Sequence, residues 1–300
     1  MRVNITQLTR KLSRQLLKVC DNDTGLAQRE LHWMLDHVLA NKTNSTRSHL
    51  TMGDTRRLID MVNDRVEHHK PLQYILGTQP FCELDIITRP PTLIPRWETE
   101  EWVYRLLTYV KEAAQATQAD KPMRILDLCT GSGCIALALA RHLPAHSADI
   151  HAVDVSASAL SLARLNAYEL AEQLSNNVTF SSMDILSTDQ FSGEPFDLIV
   201  SNPPYVTHAE YDALTPDVKD WEDPGALVAE NDGMAFHLHI AKAIGTRGIL
   251  SPRLAWPRLV MEIGGSHQVS SITSALHENG FSNVQVWKDL AGKDRAIAAG

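Results

Sequence analysis

The sequence predicts an α/β protein: a mostly parallel sheet with an antiparallel last strand, preceded by a small helical domain. Nearly all-apolar runs at 124–128, 149–153, 178–181, 196–201, 258–263 and 284–287 alternate with helical patterns at 134–142, 157–173, 233–244 and 268–279. Strands apolar on both faces and separated by helices belong to a parallel sheet covered on both sides. The closing segment "VQVWKDLAGKDRAIAAG" holds two strands separated only by "DLAGKD". That leaves no room for a crossover helix and forces an antiparallel strand onto the sheet. From 5 to about 70 the pattern is helical: Leu31, Leu35, Val38 and Leu39 share one face, and Leu58, Met61 and Val62 share another. Asp54 is the expected N-cap of the second of these helices.

The expected domains are a helical unit at 1–72, a β-hairpin linker at 73–95 and the sheet domain at 96–300. Proline and β-branched residues mark the linker, with strand candidates at 81–87 and 92–94. "KEAAQATQAD" reads as a solvated helix end or linker. The first twenty residues carry Arg2, Arg10, Lys11, Arg14 and Lys18 with no acid before Asp21. With Leu8, Leu12 and Leu16 at helical spacing, this start reads either as a mitochondrial presequence or as the first helix of the domain.

A formal net charge of −8 disfavours stable nucleic-acid binding in bulk. No apolar run reaches the ~18–20 residues of a membrane helix, so no membrane partner is expected. Cys20, Cys82, Cys129 and Cys134 form no C-x-x-C pair and read as free thiols of a reducing compartment. His237 and His239 are two apart and share no helical face, His68 and His69 are adjacent, and lone surface histidines without a metal are expected.

"RILDLCTGSGCIALALA" reads as strand, tight turn and helix, with Gly131 and Gly133 where backbone must approach a ligand or the first strand. In a doubly wound sheet this turn lies at the carboxyl edge, where ligands bind. Asp127 either caps the loop or touches the ligand. Asp154 ends the next strand and is placed to accept from both ribose hydroxyls, in preference to helping Ser156 cap a helix. Asp184 closes the third strand, either as an acceptor for an adenine amine or as an ordinary loop acid. Gly131, Gly133 and Ala136 also satisfy G-x-G-x-x-A. These features ask for an adenosine-containing cofactor, and NAD and S-adenosylmethionine both fit.

The fourth strand stops in Asn202, Pro203, Pro204 and Tyr205. Two prolines fix φ near −65° and leave rigid outward carbonyls. The Asn202 side-chain oxygen and a neighbouring carbonyl suit a planar –NH2 group, and Tyr205 can stack on it or wall it from water. Hydride transfer has no use for such a clamp. Methyl transfer to a weakly nucleophilic nitrogen does, through orientation and acceptors aimed at developing positive charge.

These residues, the glycine loop and the antiparallel tail together resemble the class I S-adenosylmethionine-dependent methyltransferases, with their Rossmann-like sheet. Within them the chain resembles the family that methylates the glutamine of peptide chain release factors (the PrmC/HemK type). "PLQYILGTQPF", "LIPRWETEEWV", "EDPGALVAENDGMAFH", "MEIGGSHQ" and "DLAGKDRAIAA" carry the match over about 26 to 299. The resemblance implies N5-methylation of the glutamine in a Gly-Gly-Gln loop of a release factor, gripped in part by the helical domain. It places cofactor contacts at Cys129, Thr130, Gly131, Ser132, Gly133, Asp154, Asp184 and Ile185, with Asp127 and Asn202 beside them. Asn202 through Tyr205 fall on the substrate clamp, with Asn202, Pro203 and Tyr205 as the catalytic set, and Arg96 and Glu98 near the methionine end. Trp97 stands where many relatives have Pro, and Ile185 where an aromatic is frequent. Cys129 replaces a frequent Gly, which suggests that backbone freedom there is dispensable. The long "TPDVKDWEDPG" and the basic start point to an organellar, mitochondrial member rather than a cytoplasmic one. An N6-adenine nucleic-acid methyltransferase presents the same –NH2 geometry and is the nearest rival. An NAD dehydrogenase leaves the clamp idle, and a mere binding module leaves Asn202, Asp154 and the glycine loop without purpose.

Overall fold

The computed structural model describes residues 5–40, 50–116, 121–187, 194–245, 249–252, 254 and 256–300. Arg2 and the last four residues, 117–120, of the expected helix end or linker lie outside these. The chain forms two compact units, one of Met1–Thr78 with Thr215–Trp221, the other of Gln79–Leu214 with Glu222–Gly300.

The first unit is built on helices α1 (Ile5–Leu16), α2 (Thr24–Leu39), α3 (Met52–Glu67) and α4 (Leu72–Leu76). Asp23 starts α2 by accepting from the Gly25 and Leu26 N–H groups at 2.7 and 3.0 Å. The expected cap at Asp54 is corrected by one turn. Thr51 is the N-cap, accepting from the Asp54 N–H at 3.1 Å, while the Asp54 carboxylate accepts from the Thr51 N–H at 2.7 Å. This reciprocal pairing satisfies two end donors, and a three-residue spacing is its signature. Leu12, Leu16, Leu31, Met34, Leu58 and Val62 make one buried core. Helix α1 therefore belongs to the bundle, with Arg10, Lys11 and Arg14 exposed on it and Lys18 exposed just beyond its end. Arg65 grips Glu30 through Nε and Nη2 at 3.1 and 3.3 Å. Asp217, from the short stretch of later chain that joins this unit, lies 3.6 Å from Arg65. In the same stretch the Trp221 indole N–H donates to the His68 carbonyl at 2.9 Å.

The second unit opens with a hairpin of β1 (Thr78–Phe81) and β2 (Leu84–Ile87). Cys82 and Glu83 turn it with φ of 47° and 61°, the left-handed pair that matches strand twist. The strand candidate at 92–94 forms no strand; prolines at 90, 91 and 95 leave it too few donors to pair. A seven-stranded sheet follows: β3 (Met123–Leu128), β4 (Ala148–Asp154), β5 (Asn177–Ser182), β6 (Leu198–Ser201), β7 (Leu259–Glu262), β8 (Val284–Lys288) and β9 (Asp294–Ala299). Its order is β5-β4-β3-β6-β7-β9-β8. All pairs are parallel except those of β9, which runs antiparallel to both β7 and β8.

Alternate residues of β3 point to opposite faces. Ile125 joins a core with α5 (Trp97–Ala116) and α6 (Cys134–His142). Leu126 and Leu128 join a second core with α12 (Ala235–Gly245) and α13 (Ser266–Glu278). Burial on both faces is why these strands read as unbroken apolar runs. The remaining helices are α7 (Ala157–Glu169), which follows β4, and four short pieces between β6 and α12: α8 (His208–Asp212), α9 (Pro216–Lys219), α10 (Pro224–Leu227) and α11 (Glu230–Gly233). Strand order reverses between β3 and β6, so a crevice opens at their carboxyl ends.

The buried pair in the helical unit yields a prediction. Glu30→Ala leaves the Arg65 guanidinium without its bidentate partner and is expected to cost about 3 kcal/mol of stability. Adding Arg65→Met should recover more than half of this in urea unfolding. An unchanged midpoint for the single variant would show the pair to be idle.

Candidate active site

The turn after β3 needs three residues in the left-handed region: Cys129, Gly131 and Gly133, at φ of 58°, 56° and 84°. This corrects the expectation that backbone freedom is dispensable at Cys129. The position demands a conformation that glycine adopts freely and that costs a side-chain-bearing residue about 1–2 kcal/mol. Gly133 has a packing reason as well: a Cβ there would lie 3.2 Å from that of Ala163 on α7. A Cβ on Gly131 would meet no atom within 4 Å.

Three of the loop's donors are used within the protein. The Thr130 N–H goes to the Val153 carbonyl at 3.0 Å and the Gly133 N–H to the Thr130 carbonyl at 2.9 Å. The Gly131 N–H goes to Asp154 Oδ2 at 2.8 Å. Asp154 Oδ1 accepts from the Ser156 N–H at 2.9 Å, so Asp154 fixes the loop and still lines the crevice beside it. Burial raises its pKa, against the pull of those N–H groups.

Asp127 is fully buried beneath the loop. Its Oδ2 accepts from the Thr130 hydroxyl at 2.6 Å, and burial pushes its carboxyl up to about 7. Asp184 is exposed and turns its own chain, taking the Leu186 N–H at 3.0 Å and the Ser187 hydroxyl at 2.5 Å. The Ser187 bond is the first reason its pKa is lowered.

A cleft of about 790 Å³, including its open mouth, brings together Cys129, Gly131, Asp154, Asp184, Ile185 and Asn202, with Pro204 at its wall. Thr130, Ser132, Gly133, Pro203 and Tyr205 stand behind that lining, and Arg96 and Glu98 lie outside it. Arg96 is engaged with the buried Glu222 carboxylate at 2.5 Å. Phe236 also lines the cleft. It supplies an aromatic ring from α12 where Ile185 offers none, and nothing in its local sequence marks it.

The loop after β6 is held from several sides. Asn202 Nδ2 donates to Thr99 Oγ1 at 3.3 Å. The Tyr205 N–H donates to the Leu227 carbonyl at 3.1 Å, and fully buried Gln268 donates to the Tyr205 carbonyl at 3.0 Å. The Tyr205 hydroxyl donates to Glu262 Oε1 at 3.1 Å, and burial keeps that phenol far above its usual range. Glu262, last residue of β7, also receives the Thr99 hydroxyl at 2.6 Å and the Trp102 indole N–H at 2.7 Å, both on Oε2. Burial raises its pKa, while these donors and the Arg295 charge oppose the rise. Glu262 was legible in principle, as one more acid closing an apolar strand.

His237 corrects the expectation of surface histidines. It is fully buried on α12 with Nε2–H donating to the Glu262 carbonyl at 2.7 Å. Its apolar surroundings lower its pKa to about 4. Among the described residues no group of three His, Cys, Asp or Glu is placed to hold a metal ion, and no helix is long and apolar enough to cross a membrane.

The methyltransferase small domain family model matches residues 111–217. A release factor glutamine methyltransferase of Bacteroides thetaiotaomicron is 38% identical, the match covering 81% of each chain. One of Bacillus subtilis is 35% identical over 78% of this chain and 77% of its own. A Schizosaccharomyces pombe protein described as a probable MRF1 mitochondrial N(5)-glutamine methyltransferase, mtq1, is 31% identical over 92% of this chain and 88% of its own. Among solved structures, the hMettl16 catalytic domain in complex with the MAT2A 3'UTR hairpin 6 has a TM-score of 0.52 at 16% identity, covering 83% of this chain and 82% of that one. That likeness is one of fold.

Two predictions follow from the site's geometry. Gly131→Ala points a methyl into the cleft at positive φ; it should cost about 1–2 kcal/mol of stability and weaken S-adenosylmethionine binding at least about tenfold by calorimetry. Unaltered affinity would place the cofactor elsewhere. His237 binds its proton in the unfolded chain near the ordinary 6.5 but in the fold only at about 4. Stability held above that upper value should therefore fall as pH drops through the window, by up to roughly 3 kcal/mol. Urea titrations of His237→Gln should show a flatter dependence between those two pH values, and an identical slope would reject the assignment.

Proposed function

The chain belongs to the release factor glutamine methyltransferases, and from that premise we propose that it methylates the side-chain amide nitrogen (N5) of the glutamine in a release factor's Gly-Gly-Gln loop, with S-adenosylmethionine as donor. One observation carries the reading: Asn202 and Asp154 line a single cleft at the reversal of strand order. The residues present fit the cofactor. Asp154 keeps carboxylate lone pairs for a ribose, Gly131 leaves open space, and Phe236 and Ile185 offer apolar cover for a base. When bound, S-adenosylmethionine supplies a methyl group made electrophilic by its sulfonium.

The protein's own task is to make a poor nucleophile good. A carboxamide nitrogen shares its lone pair with the carbonyl. Asn202 Oδ1 and a backbone carbonyl of the proline pair accept its two hydrogens, holding the group flat and leaving the nitrogen face free. Orientation of that kind is worth up to ~7–11 kcal/mol in the best cases. The same acceptors stabilise positive charge growing on nitrogen until its surplus proton passes to water. Pro203 and Pro204 are both buried and keep the acceptors from shifting. The helical unit is read as a further grip on the release factor. A mitochondrial location is read from the fission yeast relative and the basic exposed side of α1.

Incubation with S-adenosylmethionine and candidate release factors, followed by mass spectrometry, should find one methyl on the Gly-Gly-Gln glutamine. Methyl found on DNA or RNA instead would favour the adenine-directed reading. Asn202→Ala should lower kcat by about 10²–10³-fold with cofactor affinity retained.

A further inference from the structure

We propose that Thr99 and Glu262 are positioning residues that fix which end of the Asn202 carboxamide faces the substrate. The proposal rests on the reading of Asn202 as the acceptor for the glutamine amide. An asparagine side chain is nearly symmetrical in shape, but its two ends are opposite in chemistry: Oδ1 accepts and Nδ2 donates. A flipped Asn202 would meet the substrate –NH2 with another –NH2. Something must forbid the flip.

A chain of hydrogen bonds with a fixed direction does so. It starts at Trp102, whose indole N–H can only donate. Trp102 donates to Glu262 Oε2 at 2.7 Å and Tyr205 to Oε1, and a carboxylate so surrounded by donors is acceptor-only at both oxygens. The Thr99 hydroxyl lies 2.6 Å from that same oxygen and spends its single hydrogen there. What remains on Thr99 Oγ1 is lone pairs, and these face Asn202 at 3.3 Å. Only the Nδ2 end of Asn202 satisfies them, which leaves Oδ1 for the cleft. Thr99, Trp102 and Glu262 are 1%, 3% and 1% exposed, so water has little access to relax the order. The Tyr205 hydroxyl on Glu262 Oε1 ties the far end of the Asn-Pro-Pro-Tyr turn to the same carboxylate.

Three variants, assayed on full-length release factor with S-adenosylmethionine, test this. Thr99→Val keeps the shape and removes the acceptor; kcat should fall about 10–100-fold, with cofactor affinity within about twofold. Thr99→Ser restores the hydroxyl and should return kcat to within about threefold. Asn202→Ala reports on the underlying reading. Thermal midpoints accompany each. If Asn202→Ala is inactive and Thr99→Val turns over like the natural protein, the proposal fails and the acceptor reading stands. Should Asn202→Ala remain active, both fail together. Equal loss in the valine and serine variants, with or without a lower midpoint, makes Thr99 a packing residue and overturns the proposal.

Discussion

A carboxylate buried at the end of β7 is the constraint on which the site depends. Moving Glu262 out of water costs several kcal/mol unless donors surround it. The donors come from elements distant in sequence: Thr99 and Trp102 from the first turns of α5, and Tyr205 from the loop after β6. Arg295 on β9 adds its charge. The antiparallel insertion of β9 between β7 and β8 brings that arginine near. A group so expensive to bury holds its donors in place, and rigidity of the Asn-Pro-Pro-Tyr loop follows from that.

Rigidity is reinforced by close approach of backbone. A Cβ on Gly233 would lie 2.0 Å from the Tyr205 carbonyl oxygen, and one on Gly264 would lie 3.2 Å from the Tyr205 ring. Gln268 fills the remaining space between these segments, with its oxygen on the Gly264 N–H and its nitrogen on the Tyr205 carbonyl. The prolines limit how the loop can move by fixing φ; these neighbours limit where it can go.

The centre of the sheet was legible in the sequence because burial on both faces removes ambiguity: β3, β6, β7 and the helix at 134–142 fall within a residue or two of their expected bounds. The polar residues that close strands were legible for the same reason, since Asp154 and Asn202 interrupt apolar runs. What stayed hidden depends on long-range contact. Thr99 and Trp102 sit in an ordinary amphipathic helix start, and only the fold brings them to Glu262. His237 looks like any polar residue on a helical pattern until α12 is seen packed against β7. Cys129 shows the limit of residue type as a guide to backbone: a left-handed φ is held there by the loop's neighbours despite the side chain.

The glycine loop and its acids left the choice between a dinucleotide and a sulfonium donor to the Asn-Pro-Pro-Tyr turn, and the inventory of the loop's own donors speaks to it as well. A pyrophosphate on a glycine loop needs free backbone N–H groups and a helix N-terminus aimed at it. Here Thr130, Gly131 and Gly133 spend theirs on Val153, Asp154 and Thr130. Beneath the loop the Asp127 carboxyl, fully buried, takes the Thr130 hydroxyl. Three acids, Asp154, Asp184 and Asp223, line the cleft itself. Such a surface repels a dianion and accepts a ligand that brings hydroxyls, an amine and a positive sulfur. The G-x-G-x-x-A spacing is shared by both kinds of site, because both need backbone to pass close to helix and strand; which ligand enters is decided by where the loop's hydrogens point.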